Sequence, residues 1–205
     1  VGVAGIFLLE LSNPKTFTKL TLKNRLIAAY FQGVTPRTAG FNTIPISDLS
    51  QGSLFLTIIL MFIGASPGST GGGLKTTTIG VLIIVTYSLV IGKEEAELFR
   101  RRLSRSTVYK ALSIIVISLL IIISAMLLLS ITENFSFMDI AFEVVSAYGT
   151  VGLSTGITGN LSLIGKIIII IMMFTGRVGP LTLAMAISKK KNNKVRYPEE
   201  KILIG

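Results

Sequence analysis

The sequence predicts an all-α membrane protein built from two tandem copies of one helix–short helix–helix unit, with one long helix broken. Three observations predict it. Half of the 205 residues are apolar, 15% are charged, and the mean hydropathy is +0.73. The apolar residues lie in runs, Leu54–Gly64, Thr78–Val90, Ala111–Ser130 and Ile164–Ile187. Two of these approach the ~20 residues a helix needs to cross a bilayer, and being internal and repeated they are not a secretory signal. The third observation is that the chain overlays itself without a gap.

With Thr38 laid on Thr150, Gly40 falls on Gly152, Thr43 on Thr155, Leu49 on Leu161 and Ser50 on Ser162. Further on, Ile58, Ile59, Met61, Phe62 and Gly64 meet Ile170, Ile171, Met173, Phe174 and Gly176. T-A-G-F-N-T thus lies on T-V-G-L-S-T. Self-similarity at a fixed shift is the signature of a repeated structural unit.

The first unit, residues 1–92, opens on an apolar stretch too short to span, read as the tail of a helix that starts outside this sequence. A short helix, Leu22–Gly33, follows, then a Thr/Gly-rich segment and a polar turn ending in Leu49-Ser50. The stretch from Ser53 to Gly92 is about twice one crossing, so the glycine run Gly64–Gly73 breaks that helix inside the membrane. Residues 93–109 form a loop. The second unit, 110–188, repeats the plan with a span Lys110–Ile131, a short helix Phe137–Tyr148, a Thr/Gly segment and a last span. Residues 189–205 form a basic tail.

Ten helical residues cover ~15 Å of a ~30 Å hydrocarbon core, so the short helices cannot span. A short helix plus a glycine-containing strand between two spans reads as a reentrant loop. Exposed backbone at membrane depth is tolerated only where it is buried in protein or lines water. These segments are therefore expected to line an aqueous path, as pore loops with reentrant pore helices.

The net charge of +10 reports topology rather than nucleic-acid binding. Lys93, Arg100, Arg101, Arg102, Arg105 and Lys110 form one cluster, and Lys189, Lys190, Lys191, Lys194 and Arg196 another. Both flank apolar runs as cytoplasmic segments do, which is preferred to a lipid- or nucleic-acid-binding patch. The intervening loop carries Glu133, Asp139 and Glu143 instead. Lys15, Lys19, Lys23, Arg25 and Arg37 run against this rule, since the same topology puts them outside.

With no Cys and no His, disulfides, thiolate or imidazole metal sites and Ser-His-Asp chemistry are excluded. Two motifs mislead. Gly152–Gly156 matches G-x-S-x-G, but no histidine activates Ser154. Gly64–Gly73 imitates a phosphate-binding loop, but Leu74 separates Gly73 from Lys75 and shifts the lysine out of phase.

T-P-R-T-A-G-F-N-T, A-S-P-G-S-T-G-G-G-L-K-T-T-T, Y-G-T-V-G-L-S-T-G and F-T-G-R-V-G-P-L-T resemble the Trk/Ktr/HKT superfamily of potassium transporters. Within it the chain looks like the third and fourth membrane–pore–membrane repeats of the bacterial Ktr membrane subunit. The resemblance implies a multi-pass bacterial plasma-membrane protein, not an enzyme, with potassium as substrate, no cofactor, and sodium as a coupling ion left open. It also implies a missing N-terminal half, a homodimer in the lipid bilayer, a cytosolic nucleotide-binding regulatory subunit, and no nucleic-acid partner.

The chemistry of each motif follows. A dehydrated monovalent cation needs oxygen ligands, and backbone carbonyls supply them without fixed charge. Thr38, Ala39, Gly40 and Phe41, with Thr150, Val151, Gly152 and Leu153, are the expected filter segments. Glycine sits where the strand must turn. By resemblance, Ala65, Ser66, Pro67, Gly68, Ser69, Thr70, Gly71, Gly72 and Gly73 are a gate loop below them. Arg177, read as mid-span, needs a partner or water, since a central charge costs roughly 2.5–3.5 kcal/mol on insertion scales. The overlay sets it opposite Ala65, so it is expected to donate to loop carbonyls. Lys75 is read as either a gate contact or a solvated cation at the cytoplasmic mouth. Competing readings are a sodium-conducting relative, a membrane nucleotide-binding enzyme using Gly64–Gly73, and a non-conducting scaffold.

Overall fold

The computed structural model describes residues 2–93, 95–98, 101–179 and 182. The basic tail 189–205 and the end of the last apolar run lie outside the described residues. Seven α-helices are present among those described: α1 (Gly2–Glu10), α2 (Leu22–Val34), α3 (Gln51–Phe62), α4 (Thr76–Val90), α5 (Arg105–Thr132), α6 (Phe137–Gly149) and α7 (Leu163–Val178).

Serines start four of these helices in the same way. The Oγ atoms of Ser50, Ser104, Ser136 and Ser162 accept from the backbone N–H of Ser53, Thr107, Asp139 and Gly165, heading α3, α5, α6 and α7. Each satisfies a donor that the helix itself leaves open. The cap at Ser104 starts α5 in the basic segment, five residues before the expected Lys110, giving a 28-residue helix long and apolar enough to cross a membrane. Its outward residues, among them Leu119, Leu120, Ile123, Leu127 and Leu128, are exposed. An apolar face that wide fits lipid better than water.

The core is centred on α6. Every residue from Ile140 to Gly149 is buried, and α6 packs against α7, α3 and α5. Helix α1 packs against α2 and α3, and α4 against α5. Deep in this core the Tyr148 hydroxyl donates to Ser118 Oγ at 2.6 Å, and Ser118 Oγ donates to the Ile114 carbonyl at 2.6 Å. A tyrosine buried among apolar side chains thus keeps its hydroxyl satisfied.

The helix pairs carry matching carboxylates. Glu10, fully buried at the end of α1, accepts from the Ser50 N–H at 2.9 Å, Thr16 Oγ1 at 2.5 Å and Asn13 Nδ2 at 2.7 Å. Glu133, just past α5, accepts from the Ser162 N–H at 3.2 Å and from its Oγ at 2.5 Å. In both places a carboxylate ending one helix holds the serine that starts its partner.

The all-α expectation needs one correction. Strand β1 (Glu97–Leu98) pairs antiparallel with β2 (Arg101–Arg102), Glu97 opposite Arg102. The backbone of this polar connection pairs with itself, as it has no apolar helix face to bury. Ion pairs Lys93–Glu97 at 3.2 Å and Arg102–Glu95 at 2.6 Å border it.

Candidate functional site

Helices α2 and α6 both deliver the chain into a short extended segment through the same left-handed turn. Thr38 (φ 68°) and Thr150 (φ 53°) are the positive-φ residues other than glycine among those described, and each is followed two residues later by a positive-φ glycine, Gly40 (74°) or Gly152 (89°). A β-branched residue in that region is a true outlier held by its surroundings. Thr38 and Thr150, like Gly40 and Gly152, are the pairs that the sequence overlay superimposes.

The hydrogen bonds explain what the turn achieves. The N–H groups of Ala39 and Gly40 point back to the Thr35 carbonyl, at 3.1 and 3.4 Å. Those of Thr150 and Val151 point to the Ala147 and Ser146 carbonyls, at 3.0 and 2.9 Å. The next carbonyls along are also turned back: Thr35 Oγ1 donates to Phe41 O at 2.5 Å and Ser146 Oγ to Leu153 O at 2.6 Å. Among the described residues, no donor reaches the carbonyls of Thr38, Ala39, Gly40, Thr150, Val151 or Gly152. Six carbonyl oxygens are thereby left free for an outside partner. The two segments also meet, since a Cβ on Gly40 would lie 2.2 Å from Val151 O.

Between α3 and α4 the chain leaves helical geometry from Ile63 to Lys75. This loop sits against both segments: a Cβ on Gly71 would meet Thr38 Cγ2 at 2.9 Å, and one on Gly72 would meet Thr150 Oγ1 at 2.7 Å. The Gly72 N–H donates to Thr150 Oγ1 at 2.8 Å. Two cations hold three successive loop carbonyls. Lys75 Nζ donates to Ser69 O at 3.2 Å and Gly71 O at 2.6 Å, and Arg177 Nη1 to Thr70 O at 2.5 Å.

Over residues 4–196 the chain matches the family model described as TrkH, cation transport protein. This chain belongs to the TrkH family. It is 42% identical over its full length to the Ktr system potassium uptake protein B of Bacillus subtilis, covering 46% of that protein. It is also 42% identical to the potassium/sodium uptake protein NtpJ of Enterococcus hirae, covering 47% of it. The crystal structure of the potassium transporter TrkH from Vibrio parahaemolyticus superimposes with a TM-score of 0.76 over 91% of this chain and 42% of that one, at 24% identity. The chain thus spans about half the length of the curated relatives it matches.

TrkH-family membership places the chain in the plasma membrane and among cation transporters rather than enzymes. The membrane-enzyme reading of Gly64–Gly73 gives way to this family membership, and Lys75 Nζ is engaged by carbonyls of its own loop. Arg177 lies in the last turn of α7, which runs to Val178 before Gly179 (φ 89°). A helix C-terminus favours a cation there. The short helices end one residue later than expected, at Val34 and Gly149, and keep the three-residue displacement from the overlay that their expected bounds already carried. The extra turn Thr35–Ala39 absorbs the difference.

Sequence reasoning missed Glu143. It is buried on α6, and both Ser154 Oγ and Thr158 Oγ1 donate to its carboxylate, the latter at 3.1 Å. The signal available was an acidic residue in the middle of the short helix, beyond its first-turn Asp139.

Proposed function

We infer that the full-length protein carries potassium across the plasma membrane through a pore in which Thr38–Gly40 and Thr150–Gly152 supply two of the carbonyl-lined segments. The carrying observation is the set of six carbonyls left without a donor behind two matched left-handed turns. Alternating left-handed and ordinary residues keep successive carbonyls on one side of a strand, as ligating one desolvated cation requires. Helices α2 and α6 act as the reentrant helices of two repeats, residues 1–92 and 110–188. Residues Ala65–Gly73 act as the gate below the filter, held shut by Lys75 and Arg177.

By the same reading the protein has an N-terminal half with two further repeats, forms a homodimer and meets a cytosolic nucleotide-binding subunit through its basic segments. Sodium conduction is the second reading, favoured by the name of the Enterococcus hirae relative, a potassium/sodium uptake protein. The test is uptake in full-length protein bearing Gly40→Ser or Gly152→Ser. A side chain there collides with the facing carbonyl or strains the positive-φ glycine. Discrimination between potassium and sodium is expected to fall about tenfold, a change of ~1.4 kcal/mol, with insertion unchanged. An unaltered uptake ratio in both variants overturns the filter assignment, and sodium flux exceeding potassium flux in the parent selects the second reading.

A further inference from the structure

We propose that Glu143 is a positioning residue for cation discrimination: its buried carboxylate holds segment Thr150–Ser154 in register from behind, while segment Thr38–Phe41 has no such hold. The inference rests on the reading of these segments as filter strands.

Residue Ser146 identifies the counterpart of Glu143 in the first unit. Thr35 and Ser146 do the same work, each donating its hydroxyl to the carbonyl that follows the filter glycine. Three residues before Ser146 is Glu143, and three before Thr35 is Gln32. Both side chains are buried, Glu143 at 5% and Gln32 at 0% exposure. Their surroundings differ. Glu143 receives the hydroxyls of Ser154 and Thr158, one from the strand leaving the glycine and one from the turn beyond it. Ser154 Oγ also accepts from the Gly156 N–H at 2.8 Å and lies 2.9 Å from Thr158 Oγ1. The carboxylate thus closes a network joining α6 to the whole descending strand. Both polar atoms of Gln32, in contrast, are buried without a partner among the described residues.

Placement ties this network to segment Thr150–Ser154. Glu143, Thr150, Val151, Gly152 and Ser154 line one cavity of about 330 Å³. No residue but Leu153 separates Ser154 from Gly152. A shift at Ser154 is therefore passed to the free carbonyls within two peptide units, each nearly planar and rigid. Charge-assisted bonds in a low-dielectric interior are among the stronger ones available to a side chain. Carbonyl geometry is what separates one monovalent cation from another. Loss of Glu143 should therefore alter discrimination, and loss of Gln32 should not.

The experiment measures rubidium-tracer uptake by the full-length protein, with potassium or sodium as competitor. Glu143→Ala is expected to lower the potassium preference by about fivefold, and Glu143→Gln to keep it within about twofold, because an amide can still accept one hydroxyl and donate to the other. Gln32→Leu should leave the ratio unchanged. A parental ratio in Glu143→Ala with normal uptake overturns the proposal, as does an equal loss in Gln32→Leu. Should Glu143→Ala fail to insert, Ser154→Ala and Thr158→Val remove the hydroxyls singly and leave the carboxylate. Each is expected to lower the ratio about twofold, and no change in either overturns the proposal. Gly152→Ser in parallel separates the two levels. If it alone shifts the ratio, the filter reading stands and the role of Glu143 falls; if it does not, the filter reading falls and the proposal with it.

Discussion

Arg177 and Thr70, 107 residues apart in sequence, are joined by a 2.5 Å hydrogen bond from the guanidinium to the loop carbonyl. The bond ties the last turn of α7 in one unit to the broken helix of the other. It is the longest-range side-chain hydrogen bond among the described residues.

Removing that tie should open the loop. A hydrogen bond to a charged group contributes about 1.5–3 kcal/mol, which shifts a two-state equilibrium by roughly ten- to a hundredfold at ~1.4 kcal/mol per decade. Arg177→Ala in full-length protein is expected to raise the maximal potassium flux, and deletion of Gly68–Gly72 to raise it too. Combining the two should add little. Loss of flux in correctly inserted Arg177→Ala protein would show that the arginine is structural.

The Gly72–Thr150 contact makes a second, independent prediction. Thr150→Val keeps the β-branched shape and removes the acceptor for the Gly72 N–H. Leaving that donor unpaired costs about 1–3 kcal/mol. Flux is expected to rise as for Arg177→Ala, but to a smaller extent. Uptake in proteoliposomes reads this directly, and a decrease would place Thr150 Oγ1 on the ion's path rather than on the loop's.

Close packing of α7 on α6 predicts a sharp difference between two glycines. A Cβ on Gly176 would fall 1.8 Å from Tyr148 O, whereas Gly80 in α4 has nothing within 4 Å. Gly176→Ala is expected to destabilise by at least ~1–3 kcal/mol, the usual range for overpacking. Gly80→Ala is expected to be neutral or stabilising by up to ~1 kcal/mol. Thermal melts of purified protein in detergent compare them; equal melting temperatures would contradict the packing described.

Topology can be read by cysteine labelling, since the chain has no native Cys. A cysteine at Ser104, before α5, is expected to react from the cytoplasmic side, and one at Asn134, beyond α5, from outside. Reaction of both from one face would mean that α5 does not span.

The matched glycines were legible because a repeat leaves its mark at fixed spacing: Gly40 and Gly152 fall into register in the sequence alone. The threonines preceding them carried the same mark, though not their left-handed backbone, which a β-branched residue does not advertise. The three-residue offset of α2 against α6 was legible too, since the expected bounds Leu22–Gly33 and Phe137–Tyr148 already carried it. Glu143 was hidden for another reason. Its partners lie 11 and 15 residues on, on a segment without periodicity, and only folding brings the carboxylate to two hydroxyls. The helix end at Val178 was obscured by the apolar run, which continues past it.

The paired carboxylates at Glu10 and Glu133 have a mechanical consequence. Each fastens the ends of two neighbouring helices on the side away from the basic start of α5, so that side behaves as a clamped edge. The break at Ile63–Lys75 lies on the other side of segments Thr38–Gly40 and Thr150–Gly152 and is held through its backbone by hydrogen bonds with Lys75, Arg177 and Thr150 instead of by a carboxylate. Compliance is thus graded through the membrane, stiff at one rim and yielding at the other. Under the proposed function, gating movement falls in the yielding half, and the filter geometry is preserved while the passage beneath it changes width.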